Sequence, residues 1–262
     1  MLEVANLLLP TLMALWWPFC RIMAMLSTAP VIGEGMVPIP VRVLLSVVLA
    51  FLMLPITKVA AMPDPFSLAG VVTMIEQAVI GGVIGLALQL TMAVVSMLGF
   101  LASSQIGFSM AQMNYPVNGQ QSDVVSGLLG LVAMLVFFAI DGHPVLAGVM
   151  GQSFRAWPVG GGYSPLLLQT VALNVGWVFS AAVLLALPIV FSTLVVQIGF
   201  GFLNRVAPSL NLFSLGFSLV TLFGLMMLVQ VVRFVPEHYV QMTNQVLEML
   251  QQQMTMAHGG RI

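Results

Sequence analysis

The sequence predicts an all-α, polytopic membrane-complex protein with about six long, partly kinked or broken apolar helices and an amphipathic helix at its C-terminus. Three observations carry this. The 262 residues are 60% hydrophobic and only 6% charged, against about 25% charged in soluble domains. The apolar runs are long and separated by short Pro, Gly and Asn punctuation rather than by polar linkers. The last segment changes character, spacing apolar residues three and four apart among many glutamines. A net charge of −1 excludes a nucleic-acid-binding surface. The single cysteine, Cys20, excludes an internal disulfide and a cysteine metal cluster, and is expected to be a buried small apolar residue.

The first segment, from about Val4 to Leu26, has Glu3 and no Lys or Arg ahead of its apolar run, so it is expected to stay in the mature chain rather than act as a cleaved signal. Pro10 and Pro18 each remove a backbone donor and predict a kink or break. Arg21 lies within apolar sequence, where a charge is costly; a structural ion pair is the plainer reading and a transport role the sharper one. The run Val43 to Leu54 would rise about 18 Å, short of the roughly 30 Å hydrocarbon core, whereas Leu68 to Ser104 would rise roughly 55 Å as one helix. Simple spanning helices do not account for both lengths. On the long segment Gly82, Gly85, Gln89, Ala93, Ser96, Gly99 and Ser103 share one face, with Gly81 and Gly85 as a small-xxx-small pair. This stripe suits close helix packing, with a water-facing conduit as the alternative.

Gln105 to Asp123, QIGFSMAQMNYPVNGQQSD, is wedged between two of the most apolar runs. Gly107, Pro116 and its Asn and Gln residues argue against a continued helix, yet Ile106, Phe108, Met110, Met113, Tyr115 and Val117 are apolar or aromatic. Irregular backbone beside membrane segments is tolerated only where protein buries it or a watery cavity meets it. A plain connector and a re-entrant or gating loop both remain open. The next segment, Val124 to Ile140, is framed by Asp123 and Asp141. In the following link, DGHPVLAGVMGQSFRAWPVGGGYSP, Asp141 and His143 fit a turn with side-chain capping better than a proton relay or metal site, and Gly160 to Gly162 fits a flexible connector.

Leu166 to Gly201 is a further overlong run, interrupted by Asn174 and Pro188. The polar turn NRVAPSLNLFSLGFS then leads to a last apolar helix ending near Arg233, so the two make a helical hairpin. From Pro236 to His258, Tyr239, Met242, Val246, Leu250 and Met254 share a face, predicting an amphipathic helix docked on a membrane or a partner. The basic residues of alternate links divide Lys58, Arg155, Arg233 and Arg261 against Arg42 and Arg205, which sets no orientation. No nucleotide-binding motif, metal-ligand set or nucleophile with a base is apparent; neither an enzyme nor a cofactor site is expected.

QIGFSMAQMNYPVNGQQSDVVSGLLGL, FFAIDGHPVLAGVMGQSF and NRVAPSLNLFSLGFS, in this order and spacing, resemble the FliR/SctT export-gate family of flagellar and injectisome type III secretion, and the likeness extends across essentially the whole chain. The resemblance implies a subunit that sits with FliP-like and FliQ-like partners in a helical assembly of the bacterial inner membrane, within the flagellar basal body. It implies that the helices lie largely above the usual membrane plane, that residues 1–165 form a FliP-like part, and that residues 166–262 form a FliQ-like hairpin with its tail. It makes 105–123 a pore plug, with Ile106, Gly107, Phe108, Ser109, Met110, Met113, Asn114, Tyr115 and Pro116 as candidate sealing residues. Asn204, Arg205, Pro208, Asn211, Phe213 and Gly216 become the hairpin turn, close to an FlhB-like component. An FlhA-like component and unfolded export substrates complete the implied partners. The alternative from the residues alone is a self-contained small-solute transporter using Arg21, Gln89, Glu76 or Asp141 as intramembrane polar sites.

Overall fold

The computed structural model describes residues 2–33, 37–57, 64–108, 112–114, 121–162, 165–206 and 212–259. In chain order these form α1 (Leu2–Thr28), α2 (Ile39–Met53), α3 (Leu68–Ile106), β1 (Gln112–Asn114), β2 (Gln121–Asp123), α4 (Val124–Ala139), α5 (Gly142–Ala156), α6 (Pro165–Val206) and α7 (Leu212–Gly259). The all-α class holds. The only non-helical elements among the described residues are the two three-residue strands, an antiparallel pair with Gln112 opposite Asp123 and Asn114 opposite Gln121. Among the described residues three helices, α3, α6 and α7, are long and apolar enough to cross a membrane, and α4 with α5 would add one broken span. The chain is a multi-pass membrane protein.

Several local expectations are corrected. α1 continues as helix through Pro10 and Pro18, so of the expected kink or break the break is excluded, and α6 continues through Pro188 and α7 through Pro236. An internal proline removes one hydrogen bond, and a long apolar helix retains enough others to continue. The break falls instead at Ile140–Asp141, where Asp141 takes a left-handed backbone (φ 54°) and its side chain caps nothing. The stretch after it is not a link: residues 142–156 form α5, whose apolar residues Leu146, Val149, Met150 and Phe154 recur at helical spacing and are buried. The C-terminal segment is no separate docking helix either. It is the end of the 48-residue α7, and Tyr239, Met242, Val246, Leu250 and Met254 are buried within the chain itself, so neither a membrane nor a partner is needed to cover that face. Asn174 and Thr170 of α6 meet this part of α7 through contacts to Met249 Sδ (3.1 Å) and the Gln253 amide (3.2 Å).

Asp123 does cap α4. Its Oδ1 accepts the Ser126 backbone N–H at 2.8 Å and its Oδ2 the Ser126 hydroxyl at 2.6 Å. Because an N-cap of this type is worth about 1 kcal/mol, Asp123→Ala is expected to lower the thermal midpoint of the detergent-purified protein, and Asp123→Asn to restore most of it. Equal midpoints for Asp123→Ala and the native protein would remove the cap from the account.

The chain divides into two compact units made of interleaved segments. One comprises residues 1–89, 141–174 and 243–262; the other comprises 90–140 and 175–242. In the first, Trp17, Ile22 and Met25 of α1, Ile80 and Ile84 of α3, Phe154 of α5 and Leu250 of α7 are buried. In the second, Leu98 of α3, Leu129 and Ala133 of α4, Ala182, Ala186 and Ile189 of α6, and Leu228 and Val231 of α7 are buried.

A buried arginine organises the first unit. Arg21 is fully enclosed, and its guanidinium donates to Gln77 Oε1 from Nε (2.8 Å) and Nη2, to the Ser153 carbonyl (3.0 Å) and to the Trp157 carbonyl (2.7 Å). The ring of Phe154 lies 4.3 Å from the guanidinium carbon. α1, α3 and the end of α5 are thereby tied through one side chain. The expected ion pair is replaced by a structural hydrogen-bond network: these acceptors of Arg21 are neutral oxygens, and Glu76 contributes an opposite charge.

Candidate functional site

The site is built where α3 gives way to the loop that follows it. The last turn of α3 ends on Gly107, whose φ of 90° is open to glycine and strained for other residues. Both the Gly107 and Phe108 N–H groups donate to the Ser103 carbonyl, at 3.1 and 2.9 Å. The second of these is the six-to-one bond of a Schellman-type helix end, which explains a glycine at this position. The terminal carbonyls of a helix have no intrahelical donor. That of Ile106 is satisfied from α7, whose Thr221 hydroxyl donates to it at 2.9 Å.

Side chains reinforce the same junction. Ile106 is fully buried and sits against Gly224 of α7, where a Cβ would come within 2.6 Å of Ile106 Cγ1 and 3.4 Å of Thr193 Cγ2. Gln105 Oε1 lies 3.4 Å from Thr193 Oγ1 on α6. The ring of Phe217 covers Gly107 so closely that a Cβ there would approach within 2.8 Å. Residues 105–107 are therefore a root held by both α6 and α7.

Beside the root lies a cavity of about 430 Å³, lined in part by Gly107, Gln197, Phe200, Asn204, Gly216 and Phe217. It joins two groups of residues far apart in sequence: Ile106 and Gly107 from the start of the loop, and Asn204 and Gly216 from the two sides of the hairpin turn. Its walls are mainly apolar, with the Gln and Asn amides as polar points, and it can accommodate a bulky apolar side chain.

The remaining sequence-predicted residues are placed as follows. Phe108 is half-buried at the head of the loop, and Met113 and Asn114 lie in β1, paired with Ser122 and Gln121 of β2. Ser109, Met110, Tyr115 and Pro116 lie outside the described residues, as do Pro208 and Asn211. The loop is thus irregular only in part, because a short β-ladder satisfies some of the backbone groups that its polar sequence left unassigned. Asn204 and Arg205 are exposed on the last turn of α6, and Phe213 lies in the first turn of α7. Of the α3 stripe, Gly85 packs against Thr28 and the Met25 carbonyl of α1, and Gly99 against the backbone of Ser126 on α4. Gly82 faces open space, Gln89 is half-buried and Ser96 is exposed, its carbonyl 3.1 Å from Ser126 Oγ.

Sequence reasoning missed Thr193, Phe217, Thr221 and Gly224. Phe217 stood in the quoted hairpin motif, but its role depends on a contact between positions 107 and 217 that no local periodicity encodes. Gly224 interrupts the apolar α7, and a glycine inside a helix is the signal that could have marked a close approach.

Residues 12–246 match the family described as "Bacterial export proteins, family 1". The chain is 33% identical over 238 residues to the flagellar biosynthetic protein FliR of Pectobacterium carotovorum subsp. carotovorum, covering 90% of each chain. It is 30% identical to the flagellar biosynthetic protein FliR of Escherichia coli K12, covering 80% of each. It is 26% identical to the protein of that name from Bacillus subtilis strain 168, covering 80% of this chain and 83% of the other.

Proposed function

The chain belongs to family 1 of the bacterial export proteins, and from that premise we propose that it is a nonenzymatic subunit of the core export gate of the flagellar type III apparatus, shaping and plugging the channel for unfolded flagellar proteins. The observation that carries this reading is the family match over residues 12–246, together with likeness over 80–90% of the chain to flagellar biosynthetic proteins. The loop 105–123 is the plug. A gate for unfolded protein must seal yet yield to many side chains, and soft apolar residues on a glycine-ended loop can repack without a fixed partner.

Partners follow from the same reading. FliP-like and FliQ-like subunits would surround the chain in the bacterial inner membrane, within the basal body, and residues 1–165 and 166–262 would be its FliP-like and FliQ-like parts. The outward faces of α6 and α7 support a crowded setting, since Phe191, Phe202 and Leu222 are each more than 60% exposed in the lone chain and apolar surface on this scale marks contact with lipid or protein. The hairpin turn around Asn204 and Arg205 faces an FlhB-like component, and an FlhA-like component lies beyond it.

A self-contained transporter for a small solute is not favoured. Arg21, its strongest candidate site, is committed to Gln77, Ser153 and Trp157, and Glu76 accepts the Gly162 N–H at 3.1 Å. Expression with and without FliP-like and FliQ-like subunits separates the two. The chain is expected to accumulate and co-purify as a hetero-oligomer only when they are present. Solute uptake by liposomes holding the purified chain alone would contradict the gate reading.

A further inference from the structure

We infer that Phe217 is a positioning residue for the plug, and that its ring is a latch: seated over Gly107 it holds the loop root closed, and swung into the adjoining cavity it releases it. This rests on the plug reading above and extends it by assigning the closing contact to the start of α7.

Four observations converge on it. The Phe217 ring lies against the one residue of the root with a left-handed backbone, where the chain turns from helix to loop. The other root contacts are anchors of a different kind. Ile106 fits the notch at Gly224, and the Thr221 hydroxyl holds the Ile106 carbonyl, so the end of α3 stays fixed to α7 whatever the loop beyond Gly107 does. Phe217 itself is 59% exposed in the lone chain, so packing within the chain covers only the part of its surface that faces the root. Finally, the cavity beside it is lined by Phe200, Gly201, Asn204 and Val220. A Cβ at Gly201 would meet nothing within 4 Å, leaving space on that wall. A ring turning about its side-chain torsions needs such open space. Because Phe217 sits one residue beyond Gly216 in the hairpin segment, a shift of that segment moves the ring and with it the support of the plug.

The test uses the assembled gate in cells, with assembly confirmed by co-purification, and reads both ion leak across the inner membrane and export of flagellar protein. Phe217→Ala should raise the leak several-fold with the plug sequence intact. Phe51→Ala, which removes an exposed ring of α2 that does not line the cavity, should leave it unchanged. Native leak in assembled Phe217→Ala gates overturns the latch. Gly201→Phe fills the cavity from a helical position and should give the opposite phenotype, a sealed gate with several-fold lower export, whereas Gly201→Ala exports normally. Native export by Gly201→Phe overturns the latch even if Phe217→Ala fails to assemble. If replacing residues 109–120 by a Gly/Ser chain opens a leak while Phe217→Ala does not, the latch fails and the plug stands. If neither leaks, the plug reading itself fails.

Discussion

Arg21→Leu is expected to abolish accumulation of the chain in the membrane. The substitution removes the buried guanidinium and leaves Gln77 Oε1 and the Ser153 and Trp157 carbonyls without the donors that now reach them at 2.7 to 3.0 Å. Each buried acceptor left unsatisfied costs about 1–3 kcal/mol. Three such losses, in a protein whose total stability is on the order of 5–15 kcal/mol, are enough to unfold the first compact unit. Arg21→Lys should lie between, because an ammonium keeps the charge over Phe154 but cannot reproduce a planar fork that addresses α3 and α5 together. The measurement is the amount of chain in isolated membranes and, for variants that accumulate, the thermal midpoint in detergent. Native levels and midpoint for Arg21→Leu would show that the buried network contributes little.

The second large effect contrasts neighbouring glycines. A Cβ at Gly81 would collide with the Arg21 carbonyl, and one at Gly85 would collide with Thr28 Oγ1 and come within 2.5 Å of the Met25 carbonyl. Backbone of α1 cannot yield as a side-chain tip can, so Gly81→Ala should destabilise by about 3 kcal/mol or more. At Gly82 a Cβ meets nothing within 4 Å. Gly82→Ala should therefore be neutral or stabilising, up to the roughly 1 kcal/mol by which alanine exceeds glycine in a helix. Thermal midpoints of the two variants, purified with their partners, decide it. Equal losses at positions 81 and 82 would mean that α1 does not cross α3 as described.

The same glycines show what the sequence reveals and what it does not. A stripe of small residues on α3 is visible from spacing alone, and Gly85 and Gly99 prove to be close-packed. Which of two adjacent glycines touches a neighbour depends on the rotation of α3 about its axis, fixed by α1 and α4 rather than by α3. The apolar face of Tyr239, Met242, Val246, Leu250 and Met254 was legible residue by residue; its covering was not, because an amphipathic pattern says that a face is buried but never by what. Prolines did not break α1, α6 or α7, since their local cost is outweighed in long apolar helices by the hydrogen bonds on either side. α5 was hidden by Gly142, Gly148, Gly151 and Pro144, although Leu146, Val149, Met150 and Phe154 carried its period. At the candidate site the special character of Gly107 was readable as a helix-ending glycine. The hold of Thr221, Gly224 and Phe217 upon it was not, being a contact across more than a hundred residues of chain.

The central claim is that the loop after α3 seals a protein channel. Its most direct test replaces residues 109–120 with a Gly/Ser chain of equal length, keeping the Gly107 helix end and the Asp123 cap, and measures ion leak in cells after verifying that the gate has assembled. The account expects a marked leak through an intact complex. A complex that assembles, stays tight to ions and exports flagellar protein normally would contradict it and make the stretch a connector.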